Sequence, residues 1–282
     1  MHYAKGNVVP ELPEVETIRL GLIPRLVGCK INRVVLSNRR LRVPVPRAKL
    51  NRWVQGSQVK SIARRAKYLL VNMDSGAVMV LHLGMTGRLA FFANGTPRRA
   101  HDHLRFLLDS GLELRFNDVR RFGSVQVLAP EERESPQLFA GLGAELLGPD
   151  FSTPYLMNRA RNRTKPIKNF LMDATVVVGI GNIYANEILF AAGIRPTRPV
   201  GSMGKATWDR IVEASRQVLE KAIACGGTTI SDYVNSSGEA GYFQCELKVY
   251  GRGGEVCQSC GSKIARVVLS GRASFYCPRC QK

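Results

Sequence analysis

The stretch Pro10-Glu11-Leu12-Pro13-Glu14-Val15-Glu16-Thr17 has the residue types of a helix start. Pro13 suits the first helical turn, because its missing N–H would have no hydrogen-bond partner there. Glu14 and Glu16 lie where the positive end of the helix dipole favours carboxylates. Apolar residues then recur at i, i+3 and i+7 along one face: Val15, Ile18 and Leu22. We therefore expect a single helix to open the first domain.

Pro10 and Glu11 lie just before this helix, where they can project into a site. One interpretation is an ordinary helix start, since proline is common there. The other requires Pro10 to be the first residue of the mature chain. Its nitrogen is then a secondary amine that can attack a sugar C1′ or a carbonyl carbon and form an iminium. An α-amine titrates at roughly 7.7–8.0, the positive end of a helix favours its free base, and Glu11 could move protons.

Nine residues, 1–9, precede Pro10 and conflict with this chemistry, because a proline nitrogen inside an amide has no nucleophilic lone pair. The segment has no long apolar core, so it is not a signal peptide. Val9 indicates how Pro10 becomes terminal. Valine codons can serve as bacterial starts and are then read as methionine, whose removal exposes the next residue. We therefore expect residues 1–9 to be a wrongly assigned start or to be trimmed.

The composition points to a polyanionic partner. The chain has 282 residues, with 41 Lys and Arg against 22 Asp and Glu, a net charge of +19. Such a charge favours nucleic acid; the alternatives are an anionic membrane or a merely basic protein. No stretch approaches the roughly 20 uninterrupted apolar residues that span a bilayer. The length suggests two domains.

Four of the seven cysteines form a metal-binding pattern. They follow the spacing C-x2-C-x16-C-x2-C, with ligands at Cys257, Cys260, Cys277 and Cys280. This spacing predicts one tetrahedral structural zinc on a β-hairpin, with four thiolates and no open position for catalysis. The other three cysteines are scattered and expected to be reduced, which fits a reducing compartment: Cys29, Cys225 and Cys245.

Short strands with Gly-containing turns follow the first helix and predict a β-sandwich or barrel over residues 10 to about 130. A hairpin is expected around Asp74-Ser75-Gly76, and a second from Leu104 to Phe116 around Asp109-Ser110-Gly111. In the second, Glu113 and Arg115 alternate with apolar residues, the period of a half-buried strand. The other strand runs are 31–36, 59–62, 68–71, 77–81 and 125–128.

Loops in this domain carry candidate functional side chains. Lys67, in Arg64-Arg65-Ala66-Lys67, faces either a phosphate or solvent. Met85 lies between two glycines, where loose packing is commoner than insertion into DNA. Arg120 precedes Phe122 by two residues, and arginines and apolar wedges are the residue types that enter a base stack. For His101-Asp102-His103, local polar packing is the better interpretation than a metal or acid–base pair.

The second half is predicted to be helical. Residues 131–152 resemble a linker, and helices are expected from Pro154 onward. Val178-Gly179-Ile180-Gly181-Asn182 does not complete a dinucleotide motif, so its backbone N–H groups and Asn182 are expected to grip a phosphate. A basic run, 159–168, precedes it. A later helix, with Ile211, Ser215, Val218 and Ala222 on one face, ends before Cys225.

These motifs occur in the order of a known family. They are Pro-Glu-Leu-Pro-Glu, Arg-Arg-Ala-Lys-Tyr-Leu-Leu, His-Leu-Gly-Met-x-Gly, Arg-Arg-Phe-Gly, Gly-x-Gly-Asn-Ile-Tyr-Ala and the four-cysteine hairpin. From Pro10 to Lys282 the chain resembles bacterial formamidopyrimidine-DNA glycosylase, an 8-oxoguanine repair enzyme of the formamidopyrimidine-DNA glycosylase/endonuclease VIII family. Leu12 favours this branch, since endonuclease VIII typically has glycine at that position and prefers oxidised pyrimidines.

The resemblance implies catalytic roles for four residues. Pro10 would displace the oxidised base and form a Schiff base with C1′, and Glu11 would be the general acid/base on the deoxyribose. Lys67 would contact the lesion and a phosphate and assist β-elimination. Arg272, on the zinc hairpin, would bind the phosphates that flank the lesion and assist δ-elimination.

The resemblance also implies a DNA-binding surface. Three side chains would fill the gap left by the flipped nucleotide: Met85, Arg120 and Phe122. Three would hold the DNA backbone: His101, Arg163 and Asn182. The segment Ser236 to Tyr242 would cover the extruded base.

The fold class expected is α+β. It comprises an N-terminal β-sandwich opened by a helix, a helical helix–two-turn–helix domain and a C-terminal β-hairpin zinc finger. The expected boundaries are an extension (1–9), a catalytic β-sandwich (10–130), a linker (131–152), a helix–two-turn–helix domain (153–235), a lesion-capping loop (236–247) and a zinc finger (248–282). The implied cofactor is one structural Zn2+. The implied partner is double-stranded DNA containing oxidised purines. The protein would bind it as a monomer in the bacterial cytoplasm, at the nucleoid, and would not associate with a membrane.

Three rival readings remain open. A non-catalytic lesion-binding protein follows if Pro10 stays inside the chain. An endonuclease VIII-like pyrimidine glycosylase would use similar chemistry on another lesion. A zinc-ribbon RNA binder leaves the Pro-Glu start and the wedge loops unexplained.

Overall fold

The helix expected at the Pro-Glu stretch, α1, spans Leu12–Leu26 and begins after Pro10 and Glu11. The structure is a computed structural model that describes residues 10–133, 137–227 and 247–282. The apolar face predicted for α1 is buried: Val15, Ile18 and Leu22 are at most 7% exposed. The described residues fall into two compact units. The first contains Pro10, 14–133 and 137–140, and the second contains Glu11–Pro13, 141–227 and 247–282.

Two four-stranded antiparallel sheets make up most of the first unit. In chain order the strands are β1 (Ile31–Leu36), β2 (Val59–Arg65), β3 (Tyr68–Met73), β4 (Val78–His82), β5 (Gly87–Ala93), β6 (Asp102–Leu108), β7 (Leu112–Asp118) and β8 (Ser124–Leu128). One sheet has the order β1-β6-β7-β5 and the other β2-β3-β4-β8. One apolar core joins α1 to both sheets through residues such as Leu22, Leu69 and Phe106. This confirms the predicted β-sandwich opened by a helix.

Strand β7 differs from the half-buried strand that its alternating pattern predicts. Glu113 and Arg115 are each only 1% exposed. The Arg115 guanidinium pairs with Glu113 and with Asp102, the latter at 3.1 Å. It also donates to the carbonyl groups of Thr96 and Pro97. Buried charges are tolerated when they are paired and fully hydrogen-bonded. Both faces of β7 are therefore buried, and the alternation of residue types distinguishes an apolar buried face from a charged one.

Two elements of the first unit left no clear pattern in the sequence. Helix α2 spans Arg47–Trp53 and buries only Leu50, and one buried residue produces no periodicity. Strand β5 begins at Gly87, where a Cβ atom would lie 2.2 Å from the Leu83 carbonyl oxygen. Gly87, which the sequence places in a Gly-rich loop, is therefore required because the Leu83 backbone lies too close for a side chain.

The second unit is mainly helical. Its helices are α3 (Thr153–Ala160), α4 (Ile167–Leu171), α5 (Asn182–Ala191) and α6 (Lys205–Ala224). A short parallel pair joins β9 (Ala144–Glu145) to β10 (Val177–Val178), and β9 lies inside the segment interpreted as a linker. Helix α6 ends before Cys225, as predicted. Its face buries Ile211, Ser215 and Ala222 and leaves Val218 half-buried.

A two-stranded antiparallel hairpin ends the chain. It consists of β11 (Ala265–Leu269) and β12 (Arg272–Tyr276), and the two Cys-x-x-Cys pairs flank it. This confirms the predicted order of a helical domain followed by a β-hairpin zinc finger. Among the described residues, none of the helices combines the length and the apolar character that crossing a membrane requires.

Candidate functional site

Three backbone N–H groups at the start of α5 hold the carboxylate of Glu11. Gly181 and Tyr184 donate to Oε2 at 2.7 and 3.3 Å, and Ile183 donates to Oε1 at 2.9 Å. Glu11 is 3% exposed. The amides and the dipole at a helix N-terminus stabilise such a buried anion. The residue directly after Pro10 is therefore fixed in one position.

The Gly-x-Gly motif makes room for this contact. A Cβ atom at Gly181 would lie 2.4 Å from Cδ of Glu11. Gly179 has a φ of +95°, and its Cβ would lie 2.5 Å from Cδ1 of Leu12. Its carbonyl oxygen accepts the Leu12 N–H at 3.0 Å. The prediction that these backbone N–H groups grip a phosphate is wrong for the amides that bind Glu11, because a carboxylate of the same chain occupies them.

Asn182 is the first residue of α5 and is half-buried. Within the described residues, its Oδ1 is buried and accepts no hydrogen bond. An unpaired buried polar atom costs free energy and is uncommon in folded proteins. The side chain of Asn182 therefore stays a candidate for binding a ligand, although the amides beside it do not.

Lys67 lies in the tight turn between β2 and β3. The turn places Ala66 at a φ of +54°, which is unusual for a residue with a side chain. Nη1 of Arg64 donates to the Ala66 carbonyl at 2.9 Å, and Nε of Arg64 donates to Glu16 of α1 at 3.0 Å. A half-buried ion pair therefore fixes the turn that presents Lys67.

His82 is a residue that sequence reasoning missed. Burial, reinforced by the positive charges of Lys67 and Arg42, lowers the pKa of His82 to about 4. The ring is therefore neutral near pH 7, and its Nδ1 accepts the Gly84 N–H at 3.0 Å. The motif drew attention to Met85, three residues later, and only the fold shows that His82 lies beside Lys67.

The structure brings together the loops that carry Met85, Arg120 and Phe122. A Cβ atom at Gly84 would lie 2.4 Å from the Phe122 carbonyl carbon, so the two backbones are in direct contact. Phe122 is 44% exposed, which is high for a large apolar residue. The Arg120 guanidinium lies over its ring, with Cζ 4.8 Å from the centroid. Of the three residues predicted to fill a gap in a base stack, Arg120 and Phe122 are therefore exposed side by side, and the half-buried Met85 lies on the adjoining loop.

Asp118, at the end of β7, ties these loops to each other. Its Oδ1 accepts the Thr86 hydroxyl at 2.5 Å, and its Oδ2 accepts the Gly123 N–H at 2.7 Å. Thr86 Oγ1 in turn accepts the Arg120 N–H at 3.0 Å. The Asp118 N–H donates to the His101 carbonyl at 3.1 Å. Asp118 is fully buried, and nothing in the neighbouring sequence indicated that its side chain connects these loops.

His101, Asp102 and His103 have separate environments. Asp102 is buried against Arg115, and His103 is buried with Nε2 donating to the Asp118 carbonyl at 2.9 Å. His101 is exposed, has a φ of +67° and lines an open cavity of about 420 Å³. The rest of the lining is largely basic: Arg39, Arg98, Ala100, His103, Val119 and Arg121. Local polar packing accounts for two members of the triplet, and His101 faces solvent.

Arg272 opens β12 and is exposed at the tip of the hairpin. It lines a cavity of about 310 Å³ together with Lys165, Lys168, Asn169, Met172, Asp173, Leu269 and Ser270. Arg163 is half-buried outside that lining, and its carbonyl oxygen accepts the Gly201 N–H at 3.0 Å. Ser274, two residues further along β12, is completely buried. Arg272 is therefore the hairpin residue best placed to meet an anion.

Lys168 is a second residue that the sequence did not single out. It is 1% exposed, and its Nζ donates to the Ala273 carbonyl at 2.9 Å and to Ser274 Oγ at 2.6 Å. Burial, followed by the positive charge of Arg272, lowers the pKa of Lys168 to about 8, while Glu11 opposes the shift. In the sequence Lys168 is only one member of a basic run.

The four predicted zinc ligands form one cluster. The sulfur atoms of Cys257, Cys260, Cys277 and Cys280 all lie within 4.8 Å of one another. Tetrahedral zinc, with Zn–S bonds of about 2.3 Å, holds sulfur atoms about 3.8 Å apart. Hydrogen bonds from the backbone and side chain of Ser262 lower the pKa of Cys260, which favours its thiolate, whereas burial raises the pKa of Cys277 and the hydrogen bond with Cys260 raises that of Cys280. The cluster therefore fits a single structural zinc, whose role is to hold the hairpin.

Cys277→Ser is expected to release the zinc and to weaken binding to every duplex, damaged or not, by about tenfold or more. The reason is that metal-binding energy is folding energy in a small zinc module. Metal content by mass spectrometry and binding by fluorescence anisotropy would measure both effects. Cys225→Ser is the matched control, since Cys225 lies outside the cluster. A metal-free Cys277 variant that bound damaged DNA normally would contradict the structural role.

The expected lesion-capping segment, Ser236 to Tyr242, and the N-terminal extension, 1–9, lie outside the described residues, as does Cys245.

Three family models match the chain in sequence order. The formamidopyrimidine-DNA glycosylase N-terminal domain matches residues 9–125, and the formamidopyrimidine-DNA glycosylase H2TH domain matches 142–234. The zinc finger found in FPG and IleRS matches 254–282. The four clustered cysteines lie inside the third match.

Curated relatives match over nearly the whole chain. Formamidopyrimidine-DNA glycosylase from Stutzerimonas stutzeri strain A1501 is 48% identical over 274 residues, which cover 97% of this chain and 100% of that protein. The protein of the same name from Pseudomonas aeruginosa strain LESB58 is 48% identical over 275 residues, with the same coverage.

Solved structures with DNA match the fold. A Lactococcus lactis FPG mutant in complex with Fapy-dG containing DNA has a TM-score of 0.88 and 33% identity, and covers 97% of this chain and 100% of its own. The wild-type Lactococcus lactis protein in complex with DNA containing an oxidised pyrimidine has a TM-score of 0.86 and 32% identity, with the same coverage.

Proposed function

The chain belongs to the formamidopyrimidine-DNA glycosylase family, and from this premise we propose that it excises oxidised purines from duplex DNA and nicks the resulting abasic strand. Base excision repair of oxidised purines is the function of this family, whose members are DNA glycosylases with AP lyase activity. The substrates proposed are 8-oxoguanine and formamidopyrimidines. The reaction needs no organic cofactor, because an amine of the chain itself reacts with the sugar.

The observation that carries the proposal is the fixed Glu11 carboxylate beside Pro10. Three amides hold this carboxylate at 2.7–3.3 Å, and it is almost completely buried. A general acid/base must stay within reach of its substrate in a constant orientation. A Cβ atom at Gly181 would collide with the Glu11 side chain, so this glycine is required by the position in which the carboxylate is held.

Four residues carry the proposed chemistry. The secondary amine of Pro10 attacks C1′, and the oxidised base leaves with the electrons of the glycosidic bond. Glu11 then takes the proton from the new ammonium nitrogen and passes it to O4′ as the sugar ring opens, which leaves an iminium between the proline nitrogen and C1′. Removal of a C2′ proton expels the 3′ phosphate with the help of Lys67. Arg272 assists the later δ-elimination that expels the 5′ phosphate.

Reaching the glycosidic bond requires the nucleotide to leave the base stack, at a cost of a few kcal/mol. Met85, Arg120 and Phe122 are proposed to fill the gap, with Arg120 facing the orphaned cytosine. Their position on adjoining loops supports this role, and so does the 44% exposure of Phe122. Wedge side chains of this kind stabilise a kinked duplex that contacts more of the protein.

Backbone binding is proposed for His101, Arg163 and Asn182, with Arg272 on the flanking phosphates. The exposed ring of His101 and the basic lining of its cavity support the first assignment, and the half-buried Asn182 side chain carries an NH2 group of the kind that donates to phosphate. A net charge of +19 supplies the salt-dependent, sequence-independent attraction that a lesion-searching enzyme needs.

Pro10 is proposed to be the first residue of the active protein. The N-terminal family model begins at residue 9, and 97% of this chain suffices to cover the whole of its relatives. Both findings support initiation at Val9, with removal of the initiating methionine. The finer boundaries proposed remain a catalytic sandwich at 10–130, a helix–two-turn–helix domain at 153–235 and a zinc finger at 248–282.

Borohydride trapping tests the nucleophile and the start together. Two proteins would be compared on a duplex with 8-oxoguanine opposite cytosine, one beginning at Pro10 and one retaining residues 1–9. We expect a covalent adduct only with the shorter protein, and we expect peptide mapping to place it on Pro10. Pro10 can form the iminium that borohydride reduces only when its nitrogen is the N-terminal amine and not part of an amide.

Either of two results would contradict the proposal. An adduct on a lysine in the shorter protein would remove Pro10 from the mechanism. Lesion binding by the shorter protein with no adduct and no strand cleavage would favour the rival reading of a lesion-binding protein without catalysis.

A second substrate class has one observation in its favour. One of the similar solved complexes contains DNA with an oxidised pyrimidine. The same trapping assay with such a duplex would measure this activity. We expect it to be weaker than excision of 8-oxoguanine, since Leu12 resembles the purine-specific branch. A preference for the pyrimidine would favour the endonuclease VIII-like reading.

The protein is further proposed to act as a monomer in the bacterial cytoplasm, at the nucleoid, and not to associate with a membrane. Binding to one lesion by residues of one chain supports the monomer. Sedimentation of the protein with and without a lesion duplex would measure the stoichiometry, and a 2:1 complex would contradict it.

A further inference from the structure

Asn186 lies one turn into α5 and links two parts of the second unit. Its Nδ2 donates to the Asn182 carbonyl at 2.5 Å, and its Oδ1 accepts the Phe275 N–H at 2.7 Å. Asn186 is completely buried. Phe275 lies in β12, three residues after Arg272. One amide side chain thus connects the residue that begins α5 with the strand that carries Arg272.

Two other side chains hold the same hairpin. Lys168 binds Ala273 and Ser274 through its Nζ, and Asn169 Nδ2 donates to Ser270 Oγ at 2.6 Å. Lys168 carries a charge close to Arg272, and Asn169 lines the same cavity as Arg272. Asn186 differs from both, because it is neutral and fully buried and lies outside that lining. Changing it alters the attachment of the hairpin without altering the charge around Arg272.

We propose that Asn186 is a positioning residue that fixes the spacing between Asn182 and Arg272. The inference rests on the proposed function, in which both residues bind phosphates of the DNA backbone. The covalent backbone sets the distance between phosphates of one strand. Two protein groups can therefore bind neighbouring phosphates together only if their own separation is held constant. A preformed spacing also avoids an entropy cost on binding.

The contacts explain why asparagine suits this position. The Asn182 carbonyl needs a donor, and the Phe275 N–H needs an acceptor. An amide supplies one of each in a fixed plane. Asp would bury a charge and turn an oxygen toward the Asn182 carbonyl, so it is not a conservative change. Leu has nearly the same size and keeps neither hydrogen bond, so it removes the hydrogen bonds while largely preserving the packing.

The test is a double-mutant cycle between Asn186 and Arg272 in the zinc-loaded protein that begins at Pro10. Binding is measured by anisotropy on a duplex with an abasic-site analogue that cannot react. We expect Asn186→Leu to weaken binding about tenfold. In the Arg272→Ala background, Asn186→Leu should weaken binding by less than about a further twofold, because the arginine that Asn186 positions is absent.

Zinc content and thermal melting accompany each variant, and Asn186→Ser replaces the leucine variant in the cycle if that variant does not fold. Ser215→Ala is the matched control. Ser215 is equally buried, and within the described residues its Oγ has no hydrogen-bond partner. Equal losses in both Arg272 backgrounds, or no loss from Asn186→Leu, would overturn the inference. Failure of the unmutated protein to prefer the abasic duplex would instead count against the proposed function.

Discussion

Glu11→Gln is expected to reduce base excision by about two to four orders of magnitude while binding of the lesion duplex survives. A positioned proton-transfer group typically contributes a rate factor of about 10²–10⁴. Glutamine keeps the size of the side chain but cannot donate or accept the same proton. Single-turnover excision of 8-oxoguanine would measure the chemical step apart from product release.

The same substitution should also destabilise the protein. The carboxylate accepts three backbone N–H groups, whereas an amide has one oxygen and must turn its NH2 toward another donor. A hydrogen bond to a charged group contributes about 1.5–3 kcal/mol, so we expect a loss of about that size and a lower melting temperature. Glu11→Asp separates the two effects, because it keeps the charge but cannot reach all three amides.

Glu220→Gln is the matched control, since Glu220 is an exposed glutamate on α6. It should change neither excision nor melting. Near-normal single-turnover excision by Glu11→Gln would remove Glu11 from the mechanism, even if the variant were less stable. A loss of duplex binding equal to the loss of excision would assign Glu11 a structural role only.

The sequence predicted elements whose cause is local. The spacing of Val15, Ile18 and Leu22 predicted the buried face of α1, and the cysteine spacing predicted the sulfur cluster. Hairpins with Asp-Ser-Gly turns were predicted because a glycine readily adopts the positive φ observed at Gly76 and Gly111. Each of these patterns lies within one short segment, so no distant contact was needed to interpret it.

Features that depend on distant contacts were missed or misread. Glu113 and Arg115 looked solvent-facing because their alternation is typical of a half-buried strand. Arg115 pairs with Glu113, and its other partners, Asp102 and the carbonyl groups at 96 and 97, come from other parts of the chain. In the same way, the amides after Gly179 looked like a phosphate site. Only the fold brings Glu11, some 170 residues earlier, to fill it.

Asp118→Asn is expected to slow excision from duplex DNA about 30-fold with a smaller effect on the overall fold. The two carboxylate oxygens each accept one hydrogen bond, from Thr86 and from Gly123. An asparagine can accept only one of them and must present its NH2 to the other. Losing one charge-assisted hydrogen bond costs about 2 kcal/mol, which corresponds to about 30-fold in rate if the bond is needed in the transition state.

The loss should appear in the step in which Met85, Arg120 and Phe122 enter the base stack. A fluorescent base analogue opposite the lesion would report that step directly, and borohydride trapping would report the chemistry that follows. We expect the fluorescence change to slow as much as excision does. Asp109→Asn is the matched control, because Asp109 is an exposed turn residue whose Oδ1 accepts only the Lys30 N–H among the hydrogen bonds described.

Thr86→Val gives an independent test of the same junction. Valine keeps the shape of threonine but removes the hydroxyl that bonds to Asp118 and accepts the Arg120 N–H. It should slow the fluorescence change in the same direction, and the double variant should lose less than the sum of the two single losses, since both disrupt one network. Fully additive losses would show that Asp118 and Thr86 act separately. Wild-type rates for both variants would mean that the wedge loops keep their positions without the carboxylate, through backbone contacts such as that between Gly84 and Phe122.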